Sequence, residues 1–206
     1  MPTTLSLINQ AYEENWEELD LSGMELTELP PEIGKLVQLK RLILGKRDKK
    51  KNKTFRNFLT NLPQAIGKLQ RLQELSLAYN HFMTLPEAVT KLVNLRLLNL
   101  DENQISSIPD SIVKLVDLET LYLDNHQLAV FPESIRKLGN LRNLSLNNNK
   151  LREIPTLILE MSNLTHLYIC KNEINAVPDL IANLVNLMEL SLEKTRLRRF
   201  QIRSLI

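Results

Sequence analysis

Cysteine, histidine and long apolar segments are scarce in this sequence. The single cysteine among 206 residues excludes a disulfide within the chain, and three histidines offer few ligands for a metal. The amino-terminal segment MPTTLSLINQ lacks the basic start and the apolar run of a secretory signal, and no stretch approaches the roughly 20 apolar residues of a membrane span. We therefore expect a cytoplasmic protein that holds neither a metal nor a cofactor.

Net charge is also small, but it is unevenly distributed. The chain has a formal charge of +2, to which residues 45–56 contribute seven Lys or Arg and one Asp, and residues 193–206 contribute five and one. The remaining residues therefore carry a net charge of −8. A nearly neutral total conceals an acidic body with two basic segments.

What the sequence has in abundance is a repeat. The pattern LxxLxLxxNxLxxLPxxIxxLxx begins at eight positions, and consecutive starts are 23 residues apart except for one spacing of 33. These starts are Trp16, Leu39, Leu72, Leu95, Leu118, Leu141, Leu164 and Leu187. Apolar positions kept in phase over so many copies indicate a solenoid in which each repeat packs on the next.

Each part of the pattern predicts a structural element. In the LxL segment two leucines point inward and the residue between them faces solvent, which is typical of a short strand. Seven prolines each follow the last leucine-type position of a repeat and suit the start of a short helical turn. We therefore predict an α/β leucine-rich repeat solenoid, a curved horseshoe with a parallel β-sheet on its concave side and short helical turns on its convex side.

The asparagine of the pattern has a predicted structural task. Its side-chain amide can bond to backbone groups that are left unpaired where the chain leaves the strand. Asn80, Asn103, Asn149 and Asn172 occupy this position, and His126 replaces it in the fifth repeat. We interpret His126 as a hydrogen-bonding substitute for asparagine and not as a catalytic or metal-binding residue.

A repeat array exposes its core at both ends and needs caps. Residues 1–15 are predicted to contain an amino-terminal capping helix over 4–15, and residues 16–206 to form the eight repeats. In that helix Leu5, Ile8, Ala11 and Tyr12 are expected to share the buried face, after a threonine cap.

The carboxyl-terminal end differs from this pattern. Leu197 and Phe200 continue the eighth repeat, but Gln201 stands where proline is expected and no polar cap follows. Three alternatives arise: the tail forms an improvised cap, the chain is a fragment, or a partner or second copy covers the edge and makes an oligomer.

Ten extra residues explain the 33-residue spacing, and they lie within a basic insertion at 45–56 in the second repeat. The insertion comes where a strand ends, so we expect a bulge at the concave rim, and its charge favours a solvated, partly disordered loop. The alternative is an electrostatic contact with an acidic protein, an anionic lipid or nucleic acid. Its candidate contact residues are Lys46, Arg47, Lys49, Lys50, Lys51, Lys53 and Arg56.

The outward residues of the strands are free of packing constraints and form the predicted partner-binding surface. In repeats four to seven they include aromatic, apolar and acidic side chains, and tyrosine on a rigid strand is a frequent hot spot of protein interfaces. We predict that a partially basic protein binds here, and we do not expect nucleic acid or an anionic membrane as the main partner. The candidate residues are Leu97, Asn99, Asp101, Tyr122, Asp124, Asn147, His166 and Tyr168.

Catalysis is not expected on this surface. Asp101 and Asp124 belong to adjacent strands, but an open, shallow surface should not desolvate them, so we expect no strong shift of their pKa values.

The segment 16–36, WEELDLSGMELTELPPEIGKL, resembles the opening of the repeat arrays of bacterial Roco proteins. Over nearly the whole chain the repeats resemble the cytosolic 23-residue class of Ras-signalling scaffolds and plant Ras-group-related proteins, which implies protein recognition, often in signalling. Roco proteins carry a GTPase after their repeats, but no GxxxxGK[ST] phosphate loop occurs here. The sequence thus predicts a non-catalytic interaction module, with the recognition array of a larger Roco-type protein as the alternative.

Overall fold

The computed structural model describes residues 2–196, and it confirms the predicted leucine-rich repeat solenoid. Its main sheet has eight parallel strands, one from each repeat, and they neighbour one another in the order of the repeats. The strands are β1 (Glu18–Asp20), β2 (Arg41–Ile43), β5 (Glu74–Ser76), β6 (Leu97–Asn99), β7 (Thr120–Tyr122), β8 (Asn143–Ser145), β9 (His166–Tyr168) and β10 (Glu189–Ser191). Equivalent leucines pair directly across this sheet, as Leu75, Leu98 and Leu121 do.

The convex side consists of short helical turns, as the prolines predict. Six of them are 3-10 helices, at Pro31–Lys35, Gln64–Lys68, Glu87–Lys91, Asp110–Lys114, Glu133–Lys137 and Asp179–Asn183, and the seventh is the α-helix α2 (Thr156–Leu159). Each repeat proline stands one residue before its helix in an extended conformation, and its carbonyl accepts the first helical hydrogen bond, as Pro109 does from Ile112 at 3.1 Å. Ile112 is then fully buried against the strand leucines.

An α-helix, α1 (Thr4–Glu13), precedes the first strand. The Thr3 hydroxyl caps it by accepting a hydrogen bond from the Ser6 N–H at 3.1 Å, and Ile8 and Ala11 are fully buried. The prediction that Leu5 and Tyr12 share this face was wrong, because they are 43% and 55% exposed. Each residue turns a helix by about 100°, and the buried stripe is centred on Ile8 and Ala11.

The predictions for the carboxyl-terminal edge depend on residues that lie outside the described part of the chain, namely Leu197, Phe200 and Gln201.

A row of buried polar side chains runs through the array just after the strands. Asn103 is typical: its Oδ1 accepts the N–H of Phe82 in the preceding repeat at 3.0 Å, and its Nδ2 donates to the carbonyls of Leu77 and Leu100 at 2.9 and 2.7 Å. We call this row the inner ladder, and its members are Asn57, Asn80, Asn103, His126, Asn149 and Asn172. The predicted role of the asparagines is therefore confirmed.

Two members of the inner ladder add to the sequence-based picture. Asn57, beyond the insertion, was not assigned to the ladder, yet its amide accepts from Leu26 and donates to Leu21 and Leu44. His126 accepts the Ile105 N–H through Nδ1 at 3.2 Å, but its buried Nε2 has no partner among the described residues. The histidine thus takes over the asparagine's role as acceptor, while the backbone of Leu100 and Asn103 lies near enough to favour the protonated ring.

Candidate functional site

The eight predicted partner-binding residues all lie on the outward side of the sheet or directly after its strands, and all are half-buried. We call them the concave patch. Tyr122 and Tyr168 share one register row across β7, β8 and β9, with Ser145 between them. Two strand spacings therefore separate the tyrosines by about 10 Å. Three other positions that the strand alternation places on the outward side are buried: Ala78, Thr120 and Ser145.

Three members of the concave patch form a second row, which we call the outer row: Asp101, Asp124 and Asn147. Each accepts the backbone N–H of the equivalent residue in the next repeat. Asp101 Oδ1 accepts from Asp124 at 2.8 Å, Asp124 Oδ1 from Asn147 at 2.8 Å, and Asn147 Oδ1 from Cys170 at 2.7 Å. The outer row is therefore ordered by the sheet itself, so its carboxylates are held in place before any partner arrives.

The carboxylate of Asp101 is unusually basic. Burial raises its pKa to about 7, and the negative charge of Asp124 adds to the rise, while the hydrogen bond from the Asp124 N–H opposes it. The expectation that this surface leaves the pKa unshifted was wrong for Asp101. Its side chain lies against the sheet to reach the next backbone amide, so it is desolvated although the face is open.

Each tyrosine of the concave patch lies near a carboxylate: Tyr122 near Asp101 and Asp124, and Tyr168 near Glu189. Burial raises the pKa of Tyr122, and the charges of Asp101 and Asp124 raise it further. Tyr168 donates its hydroxyl to Glu189 Oε2 at 2.9 Å, which raises its pKa, and its ring stacks beside His166 at 6.3 Å between centroids. Aromatic rings beside carboxylates form an environment that favours a cationic side chain.

Tyr79 and Glu102 extend the acidic and aromatic surface beyond the predicted residues. Both follow a strand by three residues and have left-handed backbone angles, with φ of 55° and 57°. Burial raises the pKa of Tyr79, and the charges of Glu102 and Asp101 contribute. An open pocket of about 260 Å³ adjoins them, with Arg56 and Gln104 in its lining. In the sequence, Tyr79 and Glu102 could have been found as bulky or charged residues directly before the asparagine of the repeat pattern.

The basic insertion is an ordered β-hairpin, so the expected partly disordered loop was wrong. Strand β3 (Lys46–Asp48) pairs antiparallel with β4 (Lys53–Phe55). The hairpin leaves the array after Gly45 and returns at Asn57, whose N–H bonds to the Tyr79 carbonyl at 3.2 Å. The ladder contacts of the second repeat are therefore kept across the insertion.

Contacts with the first repeat hold the base of the hairpin. Lys46 forms an ion pair with Asp20, and the Phe55 ring packs so closely on Gly23 that a β-carbon there would lie 3.0 Å from the ring. The ammonium groups of Lys46 and Lys53 stand over the Phe55 ring, at 5.6 and 4.9 Å from its centroid. Pairing and packing between repeats, which no local pattern encodes, order this segment.

The seven basic residues of the insertion have different surroundings. Lys46 lies at the base, and Lys53 pairs with Asp48 near the turn but extends its ammonium group over Phe55. Arg47 donates to Asn52 at 2.8 Å, and Arg56 lines the pocket beside Tyr79. Lys49, Lys50 and Lys51 are exposed at the tip, and within residues 2–196 no carboxylate forms an ion pair with them. The hairpin thus carries its unneutralised charge at the tip.

Other kinds of site find little support in the described part of the chain. Residues 2–196 contain no group of three His, Cys, Asp or Glu side chains placed to hold a metal. No helix among them has the length and apolar character to cross a membrane. Cys170 is half-buried, with its Sγ 2.9 Å from the Ser191 hydroxyl.

Comparison with known families agrees with this architecture. The leucine rich repeat family matches residues 56–105, 70–128 and 139–197, and a second leucine rich repeat profile matches residues 15–36. The chain belongs to the leucine-rich repeat family, whose fold generally serves as a protein interaction module. No curated protein matches the sequence significantly.

Solved structures include several similar arrays. A leucine-rich repeat protein of Leptospira interrogans is 32% identical over 92% of this chain and 47% of its own, with a TM-score of 0.82. Internalin C2 of Listeria monocytogenes is 25% identical over 97% and 78%, with a TM-score of 0.76. The ectodomain of the Arabidopsis thaliana receptor kinase GASSHO1/SCHENGEN3, solved in complex with CASPARIAN STRIP INTEGRITY FACTOR 2, is 31% identical over 96% and 26%, with a TM-score of 0.68. The chain thus spans about half of the Leptospira protein and about a quarter of the plant ectodomain.

Proposed function

We propose that this chain is a protein-recognition module whose concave patch binds a partially basic segment of another protein. The observation that carries the proposal is the fixed pair of carboxylates on Asp101 and Asp124 beside the Tyr122 ring. A lysine or arginine placed there would pair with both neighbouring carboxylates, reduce their mutual repulsion and contact an aromatic face.

The pKa of Asp101 supports a cationic occupant. Its ionised form is disfavoured in the free protein, chiefly by burial and then by Asp124. A bound ammonium or guanidinium group would reverse part of this penalty and release the proton. Binding of a basic segment should therefore strengthen as the pH rises through about 7, where Asp101 loses its proton.

The solved relatives support binding of a protein or peptide. The leucine-rich repeat ectodomain from Arabidopsis was crystallised in complex with CASPARIAN STRIP INTEGRITY FACTOR 2. We propose the same general role here, without catalysis and in the cytoplasm. A function in signalling, or within a larger Roco-type protein, is the finer form of this proposal.

Selection of random peptides tests the proposed function and does not require an identified partner. A displayed library of peptides of about twelve residues is selected on the wild-type protein, on the double variant Tyr122→Ala/Tyr168→Ala and on Tyr12→Ala. Tyr12 is an exposed tyrosine of α1, outside the concave patch, and serves as the matched control.

We expect lysine and arginine to be strongly enriched on the wild type and on Tyr12→Ala, and much less enriched on the double variant, which keeps the carboxylates but lacks both aromatic rings. A library that shows no basic enrichment on the wild type, or the same enrichment on all three proteins, would contradict the proposed site.

A further inference from the structure

We propose that the β-hairpin at 46–55 forms one continuous binding surface with the concave patch, and that its lysine tip receives an acidic stretch of the same partner. The partner would then be a protein segment of mixed charge, basic over the carboxylates and acidic at the hairpin. This inference rests on the proposed function and specifies the partner's charge pattern.

The hairpin is built to present its tip. Its base is fixed by the Lys46–Asp20 ion pair and by Phe55 on Gly23. At the other end Asp48 Oδ1 accepts the N–H groups of Lys50 and Lys51, at 2.9 and 3.1 Å, which closes a tight turn. Three successive lysines are thereby held close together, so their mutual repulsion would be relieved by an anionic ligand.

The position of the tip connects it to the concave patch. All strands of the sheet are parallel, so the hairpin, which follows β2, and the outer row, which follows β6 to β8, lie at the same rim. The charge of Lys49 is near enough to favour the ionised form of Asp101, and the Arg47 guanidinium opposes the pKa rise of Tyr79. An occupant of the concave patch would therefore reach the hairpin tip.

Residues of opposite charge also line the pocket beside the hairpin. Arg56, at the hairpin's end, and Glu102, next to the outer row, both contribute to its lining. A purely basic ligand would be attracted by the outer row and repelled by the tip. A purely acidic ligand such as nucleic acid or an anionic membrane would meet Asp101, Asp124 and Glu102, so mixed charge fits the surface better.

Strand geometry sets the spacing of the two charges in the partner. Three strand spacings separate β2, which precedes the hairpin, from β7, which precedes Asp124. At about 4.8 Å per spacing this distance is about 14 Å, which an extended segment covers in about four residues. Asp101 follows β6, only two spacings from β2, so we expect the basic and acidic residues to be about two to four positions apart.

The experiment repeats the peptide selection with two further variants of the full chain. The tip variant is Lys49→Ser/Lys50→Ser/Lys51→Ser. Its matched control is Lys35→Ser/Lys68→Ser/Lys137→Ser, which removes the same charge from exposed positions on the convex turns. Circular dichroism establishes that each variant is folded.

Acidic residues near the basic ones should be enriched on the wild type and on the convex control, and this acidic enrichment should disappear on the tip variant while the basic enrichment persists. Individual peptides with both charges should bind the tip variant about tenfold more weakly, with little change for versions in which glutamine replaces the acids.

Acidic enrichment that is absent, or equal on the tip variant and wild type, would overturn the proposal. The proposal would also be overturned if phosphatidylserine vesicles or duplex DNA bound the wild type more tightly than the selected peptides do at about 0.15 M salt, and if this binding required the tip lysines. If acidic residues were enriched on the wild type but lysine and arginine were not, the proposed function would be contradicted instead. The two failures are therefore distinguishable.

Discussion

The inner ladder and the outer row perform similar hydrogen bonding but are chemically different. Both bond to backbone N–H groups of a neighbouring repeat, as Asn103 does with Phe82 and Asp101 does with Asp124. The inner ladder is asparagine at every position except His126, whereas the outer row contains aspartate and asparagine. The inner side chains must both accept and donate in a buried site, which only an amide does fully. In the outer row the backbone bond requires only an acceptor, so a carboxylate can replace the amide, although Asn147 also donates to Asp124 and Ser145 at 3.0 Å.

The largest expected effect is the loss of an inner-ladder amide. Asn103→Ala leaves the Phe82 N–H and the Leu100 carbonyl without their side-chain partner, whereas the Leu77 carbonyl keeps the hydrogen bond from the Asn80 amide at 3.1 Å. We expect the free energy of unfolding to fall by about 3 kcal/mol, because each buried unsatisfied group costs about 1 kcal/mol or more. Urea denaturation of the wild type and the variant measures this loss of stability.

The outer-row counterpart is Asn147→Ala, which should cost about 1 kcal/mol. Equal losses for the two variants would contradict the distinction between the rows.

The next effect is a gain in stability from Asp101→Asn. Asparagine can still accept the Asp124 N–H, as Asn147 accepts that of Cys170, but it carries no charge. The folded-state pKa of Asp101 is raised from 3.8 to about 7, so the wild type loses stability as the pH rises through this window. Above pH 7 the variant should be more stable than the wild type by about 2 kcal/mol, and near pH 4 the two proteins should be equally stable.

Urea denaturation at several pH values checks this result, with exposed Asp110→Asn on the convex side as the control. A variant that is no more stable above pH 7 than near pH 4 would show that Asp101 is not desolvated.

A smaller gain is expected when the inner ladder is completed by His126→Asn. The amide would supply the donor that Nε2 leaves unpaired, worth about 1 kcal/mol. Burial lowers the pKa of His126 from 6.5 to about 4, so the wild type should lose stability as the pH falls through this range, and the variant should not. Thermal melts across this pH range measure the effect, with exposed His81→Asn as the control. If His126→Asn still lost stability as the pH falls, this account of His126 would be wrong.

The smallest expected effect is that of removing the hairpin. Deletion of residues 47–56 leaves Leu44, Gly45 and Lys46 directly before Asn57 and restores the 23-residue repeat. The inner ladder and the sheet do not need the hairpin, so stability should change by about 1 kcal/mol or less. A cooperative urea transition with a similar midpoint is expected, and an unfolded or aggregated deletion variant would show that the hairpin is part of the core.

The sequence predicted those features that depend on local periodicity. The LxL leucines, the prolines and the pattern asparagines each repeat a local environment, so strands, convex turns and most of the inner ladder could be placed from them. The hairpin could not, because Phe55 packs on Gly23 and Lys46 pairs with Asp20, and both partners belong to another repeat.

The electrostatics of the candidate site were equally hidden. The outward positions of Asp101 and Tyr122 follow from alternation, but the pKa of Asp101 depends on how its side chain lies against the sheet. Tyr79 was overlooked as a surface residue because it follows its strand and occupies a left-handed backbone position that the strand pattern does not describe.

Binding and stability measured together on one variant test the central claim most directly. Tyr122→Ala/Tyr168→Ala should bind a selected mixed-charge peptide at least about tenfold more weakly than wild type in isothermal titration calorimetry at pH 8, because it removes two interface aromatics. Its free energy of unfolding should fall by only about 1 kcal/mol, because both rings are half-buried on the outward face. Unchanged affinity in a folded double variant would contradict the concave patch as the binding surface.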